Sequence, residues 1–333
     1  MCIDQLDLGH AICHYYWLID QKINGKILQN DEWFSAWLVD YMNLWGTFLD
    51  STESFSQEIL NTFIDNSPMY RVEDSMLGDK PNNPSGWLTF NQFFARTLNP
   101  GLRPIADPTD NTVIVSPAEC TYRAQYDIGS DSSMSSVETG DSTIRLKKTF
   151  TFGNITKLLE GSEYRHAFAG GKFVHYYLST YSYHHFHTPV SGTIKECYPI
   201  HGHVYLQVVI DEGGQFYAPD DSTDGPDGMG YQFTQARGVI TIDTTNSPYG
   251  DVGIVAVIPV GMSQVSSVHM TAVPGTETMK GDDFGHFMFG GSDIIVLFQE
   301  HVKAQIDDAG GYRHYGTPIA RLHSQNVTSS TSQ

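Results

Sequence analysis

The chain has 333 residues, a mass of 37.1 kDa and a formal charge of −19, with 19 basic against 38 acidic side chains. An acidic balance of this size excludes a general nucleic-acid binder, which needs clustered Lys and Arg to neutralise phosphates, and it opposes docking on anionic lipid. With 40% apolar and 12% aromatic residues the chain can bury a large core, and its length predicts more than one packing unit.

The opening MCIDQLDLGH has acidic residues where a signal peptide carries positive charge. Cys2, Cys13, Cys120 and Cys197 lie far apart without a CxxC pair, which predicts neither a structural zinc site nor a disulfide framework. No run of about 20 apolar residues exists to span a membrane. The charge-free stretch from Val252 to Thr276 is broken by Gly253, Pro259, Gly261 and Pro274 and reads as buried strands. Together these features predict a soluble, reduced, cytoplasmic protein.

Residues 1–85 read as helical. Phe34, Trp37, Leu38, Tyr41, Trp45, Phe48 and Leu49 recur at helical spacing behind Asp31, which is placed to cap a helix, and the aromatic stripe is expected to be core. Ser54 with Gln57 makes a capping-box pattern ahead of Phe55, Ile59, Leu60, Phe63 and Ile64. Gly78–Gly86 (GDKPNNPSG) is a breaker cluster and a boundary. Beyond it, short runs rich in Val, Ile, Tyr and Phe alternate with turns: Val113–Val115, Phe173–Leu178, Val204–Ile210, Val239–Ile242, Val252–Val260 and Ile294–Phe298. This texture predicts an antiparallel β-rich domain over 86–333 with a few helices, such as Asn154–Glu160. Gly129–Ser142 and Asp220–Gly230 read as loops and Ser324–Gln333 as a frayed tail. The Asp220-Asp-Ser-Thr-Asp-Gly225 segment begins like a calcium loop, but Tyr231 stands where a bidentate Glu belongs, so a solvated turn is preferred.

Three segments carry titratable or reactive groups. Ser182-Tyr-His-His-Phe-His-Thr-Pro189 is the densest; in a strand, His185 and His187 share a face and His184 points to the other. A metal-binding barrel using His185, His187, His201 and His203 is one reading, but its pattern needs a Glu soon after the HxH pair, and Glu196 and Glu212 lie too far on. A purely structural histidine cluster is another. Gly285-His-Phe-Met-Phe-Gly-Gly-Ser-Asp293 ahead of a strand is either a tight turn or a strained Gly291–Ser292 bond open to attack by its own serine.

Phe90-Asn-Gln-Phe-Phe-Ala-Arg-Thr-Leu-Asn-Pro-Gly-Leu-Arg-Pro-Ile105, Val115-Ser-Pro-Ala-Glu119, Tyr183-His-His-Phe-His-Thr-Pro-Val-Ser-Gly192 and Gly285–Phe298 together resemble the phosphatidylserine decarboxylase family of pyruvoyl enzymes. The blocks run in family order over roughly residues 87–303. The resemblance implies an α+β chain that cleaves itself between Gly291 and Ser292, Ser292 becoming a covalent pyruvoyl group, with no metal. It assigns His187 as the processing base, oriented by an acid at Glu119, where the family usually has Asp, and His184 as the proton donor after loss of CO₂ from a substrate held as a Schiff base. It also implies that the two cleavage fragments stay associated, and a homodimer, as family members often form, is compatible with it.

Within the family, Trp45-Gly-Thr-Phe-Leu-Asp-Ser-Thr-Glu-Ser54, Glu119, the Ser182-Tyr-His order and Val260-Gly-Met-Ser-Gln-Val-Ser-Ser267 resemble the soluble members acting on free aromatic amino acids such as L-tryptophan. A small dissolved amino acid is therefore expected as substrate ahead of phosphatidylserine.

Overall fold

The computed structural model describes residues 5–19, 21–24, 26–137, 149–204, 208–210, 213–214, 216–217, 231–261, 267–288 and 292–323. Helices precede an antiparallel β-rich region, the α+β architecture expected from the sequence. Gly291, the Asp220–Gly230 loop and the Ser324–Gln333 tail lie outside the described residues.

The N-terminal helices are α1 (Gln5–Ile19), α2 (Glu32–Leu49) and α3 (Gln57–Asn66). Asp31 caps α2 as predicted, its carboxylate accepting from the Phe34 amide at 2.9 Å. The cap of α3 is Ser56 rather than Ser54: Ser56 accepts from the Ile59 amide at 3.2 Å. Ser54 closes a short 3₁₀ turn instead, donating to Ser51 O at 2.7 Å and accepting from the Phe90 amide at 3.0 Å. The chain stays extended at Phe55, which places that ring in a stack with Phe93, centroids 5.0 Å apart. Tertiary burial of one aromatic thus displaces the helix start by two residues.

The aromatic stripe of α2 also departs from expectation. Only Leu38 and Leu49 of the seven residues are buried, while Trp37, Tyr41 and Phe48 are exposed and neighbouring Trp33 keeps 75% of its surface in solvent. Phe34 and Trp45 are half-buried against the hydrophobic clusters, and the rings also cover one another, in the pairs Phe34–Trp37, Trp37–Tyr41 and Trp45–Phe48 at 5.6–5.9 Å. A narrow seam suffices to hold the helix. Leu38 packs with Tyr16 and Ile19 of α1 and with Val204, and Leu49 joins the main core.

The main sheet has eight strands. Together with a three-stranded sheet above it, they are β1 (Cys120–Asp127), β2 (Lys172–Leu178), β3 (His185–His187), β4 (Gly192–Ile200), β5 (Arg237–Asp243), β6 (Ile254–Gly261), β7 (Val268–Met270), β8 (Glu277–Thr278), β9 (Asp283–Phe287), β10 (Ser292–Phe298) and β11 (Tyr312–Arg313). The large sheet runs β8-β4-β5-β6-β10-β2-β1-β11, all pairs antiparallel, and the small one β3-β9-β7. Of the predicted segment Val204–Ile210 only Val209–Ile210 is strand, with residues 205–207 outside the described set. Asn154 caps a shorter helix than expected, Ile155–Leu158.

β10 is buried along its whole length because both faces of the sheet are covered. Alternation sends Ile294, Val296 and Phe298 into a cluster with Val174, Tyr176 and Leu178, and Ile295 and Leu297 into a second with Phe173, Ala256 and Ile258. The first cluster extends to Phe90, Phe93 and Phe94 of the short helix Phe90–Phe94, and to Phe186, Phe284 and Phe287 of the small sheet. Leu49, Phe55, Leu60 and Val72 from the N-terminal segment pack into it too.

Candidate active site

Ser292 is the first residue of β10, paired with Leu178 of β2 on one side and Gly261 of β6 on the other. By alternation it shares the face of Ile294, Tyr176 and Leu178, the side of the sheet on which Phe94, Phe186 and Phe287 lie. Its hydroxyl is fully buried and has no hydrogen-bond partner among the described residues. Leaving a buried hydroxyl unpaired is costly, so its position calls for a reason. Asp293 points to the opposite face, where its carboxylate lies 3.2 Å from His175 Nε2.

The histidine segment leaves β2 just beyond Leu178, at the end of the sheet where β10 begins with Ser292. In β3, His187 sits past a bulge that shifts its register against β9. Its Nδ1 lies 2.8 Å from Gly281 O, and that acceptor fixes the Nδ1–H tautomer. Gly281 holds a left-handed backbone (φ +94°), and a Cβ there would run into Ile105, so the position requires glycine. Nε2 faces the Tyr183 hydroxyl at 3.3 Å, and the ring stacks on Tyr315 with centroids 3.8 Å apart. Burial lowers its pKa to about 4 against the opposing charge of Asp283 and the Gly281 carbonyl. His187 is therefore neutral at pH 7, with the Nε2 lone pair facing the Tyr183 hydroxyl.

His184 is fully buried, stacked on Phe94 with centroids 4.0 Å apart. Among the described residues neither ring nitrogen has a well-formed hydrogen bond, and burial, reinforced by the charges of Arg96 and His185, lowers its pKa to about 3. Its ring is a neutral imidazole at pH 7. The nitrogens of His185 are both engaged, Nδ1 with Asp283 Oδ2 at 2.5 Å and Nε2 with Ala95 O at 2.9 Å. His203 Nε2 faces Asn30 Oδ1 at 2.8 Å and His201 is exposed. Among the described residues no group of three or more His, Cys, Asp or Glu could hold a metal ion.

Glu119 does not pair with His187. Its carboxylate is held by Arg103, by His314 Nδ1 at 3.0 Å and by the Tyr312 hydroxyl at 3.1 Å. Burial alone would raise its pKa, but hydrogen bonds from His314 and Arg103 outweigh it and keep the carboxyl below its ordinary value. Arg103 also reaches Asp74 at 2.8 Å, and the same Tyr312 hydroxyl lies 3.3 Å from Ser182 Oγ. Glu119 thus anchors the base of the histidine segment while its charge, with that of Asp283, favours protonation of His187.

One end of a rigid sheet thus holds the buried Ser292 hydroxyl, and the histidine segment that leaves the same end carries two buried, neutral imidazoles, His184 and His187. Sequence reasoning named Ser292, His187, His184 and Glu119 but missed Gly281, Tyr183, Tyr315, Arg103, Tyr312 and His314. Arg103 lies inside the Phe90–Ile105 block, and Tyr312-Arg-His-Tyr315 is a dense aromatic–histidine run. No spacing rule linked that run to Glu119, about 195 residues away.

A family model described as phosphatidylserine decarboxylase matches residues 90–319, and the chain belongs to this family of decarboxylases, which are carboxy-lyases. Its relatives divide by how much of the chain they match. Phosphatidylserine decarboxylase proenzyme 2 of rice is 30% identical over 229 residues, 68% of this chain but only 32% of the rice protein. Decarboxylase iboD of Amanita muscaria is 27% identical over 311 residues, covering 87% of this chain and 84% of its own length. L-tryptophan decarboxylase of Psilocybe cubensis is 25% identical over 316 residues, covering 85% and 68% respectively. Proenzymes of the family use a pyruvoyl group. Among the described residues no helix is long and apolar enough to cross a membrane.

Proposed function

We propose that this chain is a proenzyme that cleaves itself between Gly291 and Ser292 and then decarboxylates a free aromatic L-amino acid, such as L-tryptophan, to its amine. The orphaned, buried Ser292 hydroxyl carries the self-cleavage reading. Its Oγ attacks the Gly291 carbonyl carbon, His187 Nε2 takes the hydroxyl proton, and the acyl group moves from nitrogen to oxygen to give an ester. Loss of the α-proton expels the Gly291 carboxylate and leaves dehydroalanine, whose hydrolysis releases ammonia and a pyruvoyl terminus. The buried serine position fits that group, which when present supplies an electrophilic carbonyl for the substrate amine and an electron sink for decarboxylation. Around it, His184 passes a proton to the substrate carbon, Gly281 and Tyr183 fix the tautomer of His187, and the aromatic rings exclude water.

The reach of two matches supports the substrate reading. Decarboxylase iboD of Amanita muscaria and L-tryptophan decarboxylase of Psilocybe cubensis cover 87% and 85% of the chain, a larger share than residues 90–333 make up, so they extend into the N-terminal segment that the match to the rice protein need not include, and the second is named for L-tryptophan. A charge of −19 also disfavours an anionic lipid surface. The test is a paired assay: tryptamine from L-tryptophan against phosphatidylethanolamine from phosphatidylserine vesicles, with Ser292→Ala as the control. The wild type is expected on a denaturing gel as two fragments, the smaller holding 42 of 333 residues, and Ser292→Ala as one 37.1 kDa band. Lipid product alone would reverse the substrate assignment, and a Ser292→Ala chain that still splits would remove the cleavage site.

A further inference from the structure

The 279–282 turn between β8 and β9 carries the Gly281 carbonyl that takes the Nδ1 proton of His187. Main-chain bonds tie this turn to the chain leaving β3: the Gly281 amide donates to Thr188 O and the Thr188 amide to Asp282 O, both at 2.8 Å. The Thr188 hydroxyl donates to Met279 O at 2.6 Å, and the Lys280 amide to Ser191 Oγ at 2.8 Å. A further tie comes from the Lys280 side chain, which no step of the self-cleavage uses.

Lys280 is only 4% exposed. Its Nζ donates to the carbonyls of Asp107 at 2.7 Å, Asp110 at 2.6 Å and Val113 at 2.7 Å. An ammonium has three protons, and all of them are taken. Burying that charge would otherwise be costly. Burial lowers its pKa to about 8, against the charges of Asp110 and Asp107, so the three protons are in place at pH 7.

The 107–113 segment that receives the ammonium is itself fixed. Asn111, fully buried, donates to Ser191 O at 2.8 Å and accepts from the Ser191 amide at 2.9 Å. Asp107 holds a left-handed backbone (φ +43°), uncommon outside glycine, and its carbonyl is one of the three acceptors. Just ahead lies Ile105, the side chain that a Cβ at Gly281 would strike. Turn and segment therefore meet at two adjacent points.

This anchoring removes a freedom that glycine confers. A glycine at φ +94° can turn its peptide at little steric cost, and a turned carbonyl would leave His187 Nδ1 without its acceptor. The imidazole is then free to carry its proton on Nε2, the nitrogen that must be empty to accept from Ser292.

We propose that Lys280 is a positioning residue for His187: its ammonium locks the 279–282 turn to the 107–113 segment, which holds the Gly281 carbonyl on Nδ1 and keeps Nε2 unprotonated for the serine. The assignment rests on His187 being the base for self-cleavage and adds the remote group that sets its tautomer.

The test reads the tautomer directly. Nitrogen NMR spectra of isotope-labelled histidine in the full-length Ser292→Ala chain should show His187, assigned by its loss in His187→Gln, in the Nδ1–H form. Adding Lys280→Met should move a measurable share to Nε2–H. Lys280→Gln, which keeps an amide donor in place of the ammonium, gives a second chain and an intermediate shift. Leu60→Ala, a core deletion in α3, should lower stability and leave the tautomer unchanged. With Ser292 intact, Lys280→Met should slow loss of the full-length band by about tenfold to 10²-fold, the scale of a misplaced reacting group. His187 wholly Nδ1–H in both Lys280 variants, or cleavage by both within about twofold of wild type, would overturn the inference while leaving His187 as the base. An equal tautomer shift in Leu60→Ala would overturn it as well, making Lys280 one more contributor to general stability. Cleavage by His187→Ala at the wild-type rate would instead overturn the reading beneath it.

Discussion

α2 and β10 are opposite solutions to placing a functional surface. All seven residues of β10 are buried, with neighbours on both edges and both faces, whereas only two of the eighteen in α2 are. The strand fixes Ser292 at one end of a sheet that cannot shift without disrupting two cores. The helix rests on a seam and leaves a cleft beneath it. Ser292 therefore stands on the rigid element, while α2 is the element with most freedom to vary.

The sharpest way to break this contrast is at the base. His187→Ala should slow self-cleavage by about 10²–10⁴-fold, followed as the loss of the 37.1 kDa band over time, because the proton acceptor is removed while β10 stays in place. Cleavage at the wild-type rate would exclude His187 as the base. Next in size are changes to the rigid part. Ile295→Ala should cost about 2–5 kcal/mol of stability by opening a cavity beside Leu297 and Ala256. Arg103→Met should cost about 3–5 kcal/mol by leaving Glu119 and Asp74 without their shared cation. Denaturant melts of the uncleaved Ser292→Ala background measure both.

Acid provides a third probe. Burial first, then the charges of Arg96 and His185, lowers His184 to about 3, and burial lowers His187 to about 4, against 6.5 for a free side chain. On acidification the unfolded chain binds these protons before the folded one does, so stability should fall as pH drops from about 6.5 to about 3 and level off below the folded values. The same histidines contribute no slope above about pH 7.5. Melting temperatures across that range check it, and His184→Phe, which keeps a ring against Phe94, should flatten the curve. The smallest effect is expected on the exposed helix: Trp33→Gln should change stability by no more than about 0.5 kcal/mol. A loss comparable to that of Ile295→Ala would show that the aromatic face is covered in solution.

Sequence legibility followed the same division. Strand positions around Phe173–Leu178, Val239–Ile242 and Ile294–Phe298 could be read because short runs rich in β-branched and aromatic residues between turn residues leave few alternatives. Asp31 was equally plain, since its capping bond closes within three residues. The start of α3 was missed because Phe55 is held by Phe93, 38 positions on, which no local signal encodes. The stripe on α2 misled because helical spacing reports that apolar residues share a face, not that anything covers it. The site residues divide similarly. Ser292, His184 and His187 announce themselves by type and crowding, but the partners of Glu119 come from the far end of the chain. A sequence could hint at Arg103 and not at Tyr312.

The position of Ser292 at the start of β10 has a consequence for the molecule after the cut. Everything downstream of that bond, including β10, β11 and the strand Pro318–Arg321, would belong to a separate polypeptide. Yet β10 keeps seven residue pairs with β2 and seven with β6, at the centre of the sheet. The break would add a degree of freedom at one point without loosening a strand, so the two pieces should behave as a complemented fragment pair with an effective concentration far above any cellular one. Unfolding is where the difference would show. Once dissociated, the fragments must find each other by diffusion, and refolding would become second order and dilution-sensitive. Maturation would then trade a chain that can be recovered after denaturation for one whose persistence depends on never opening.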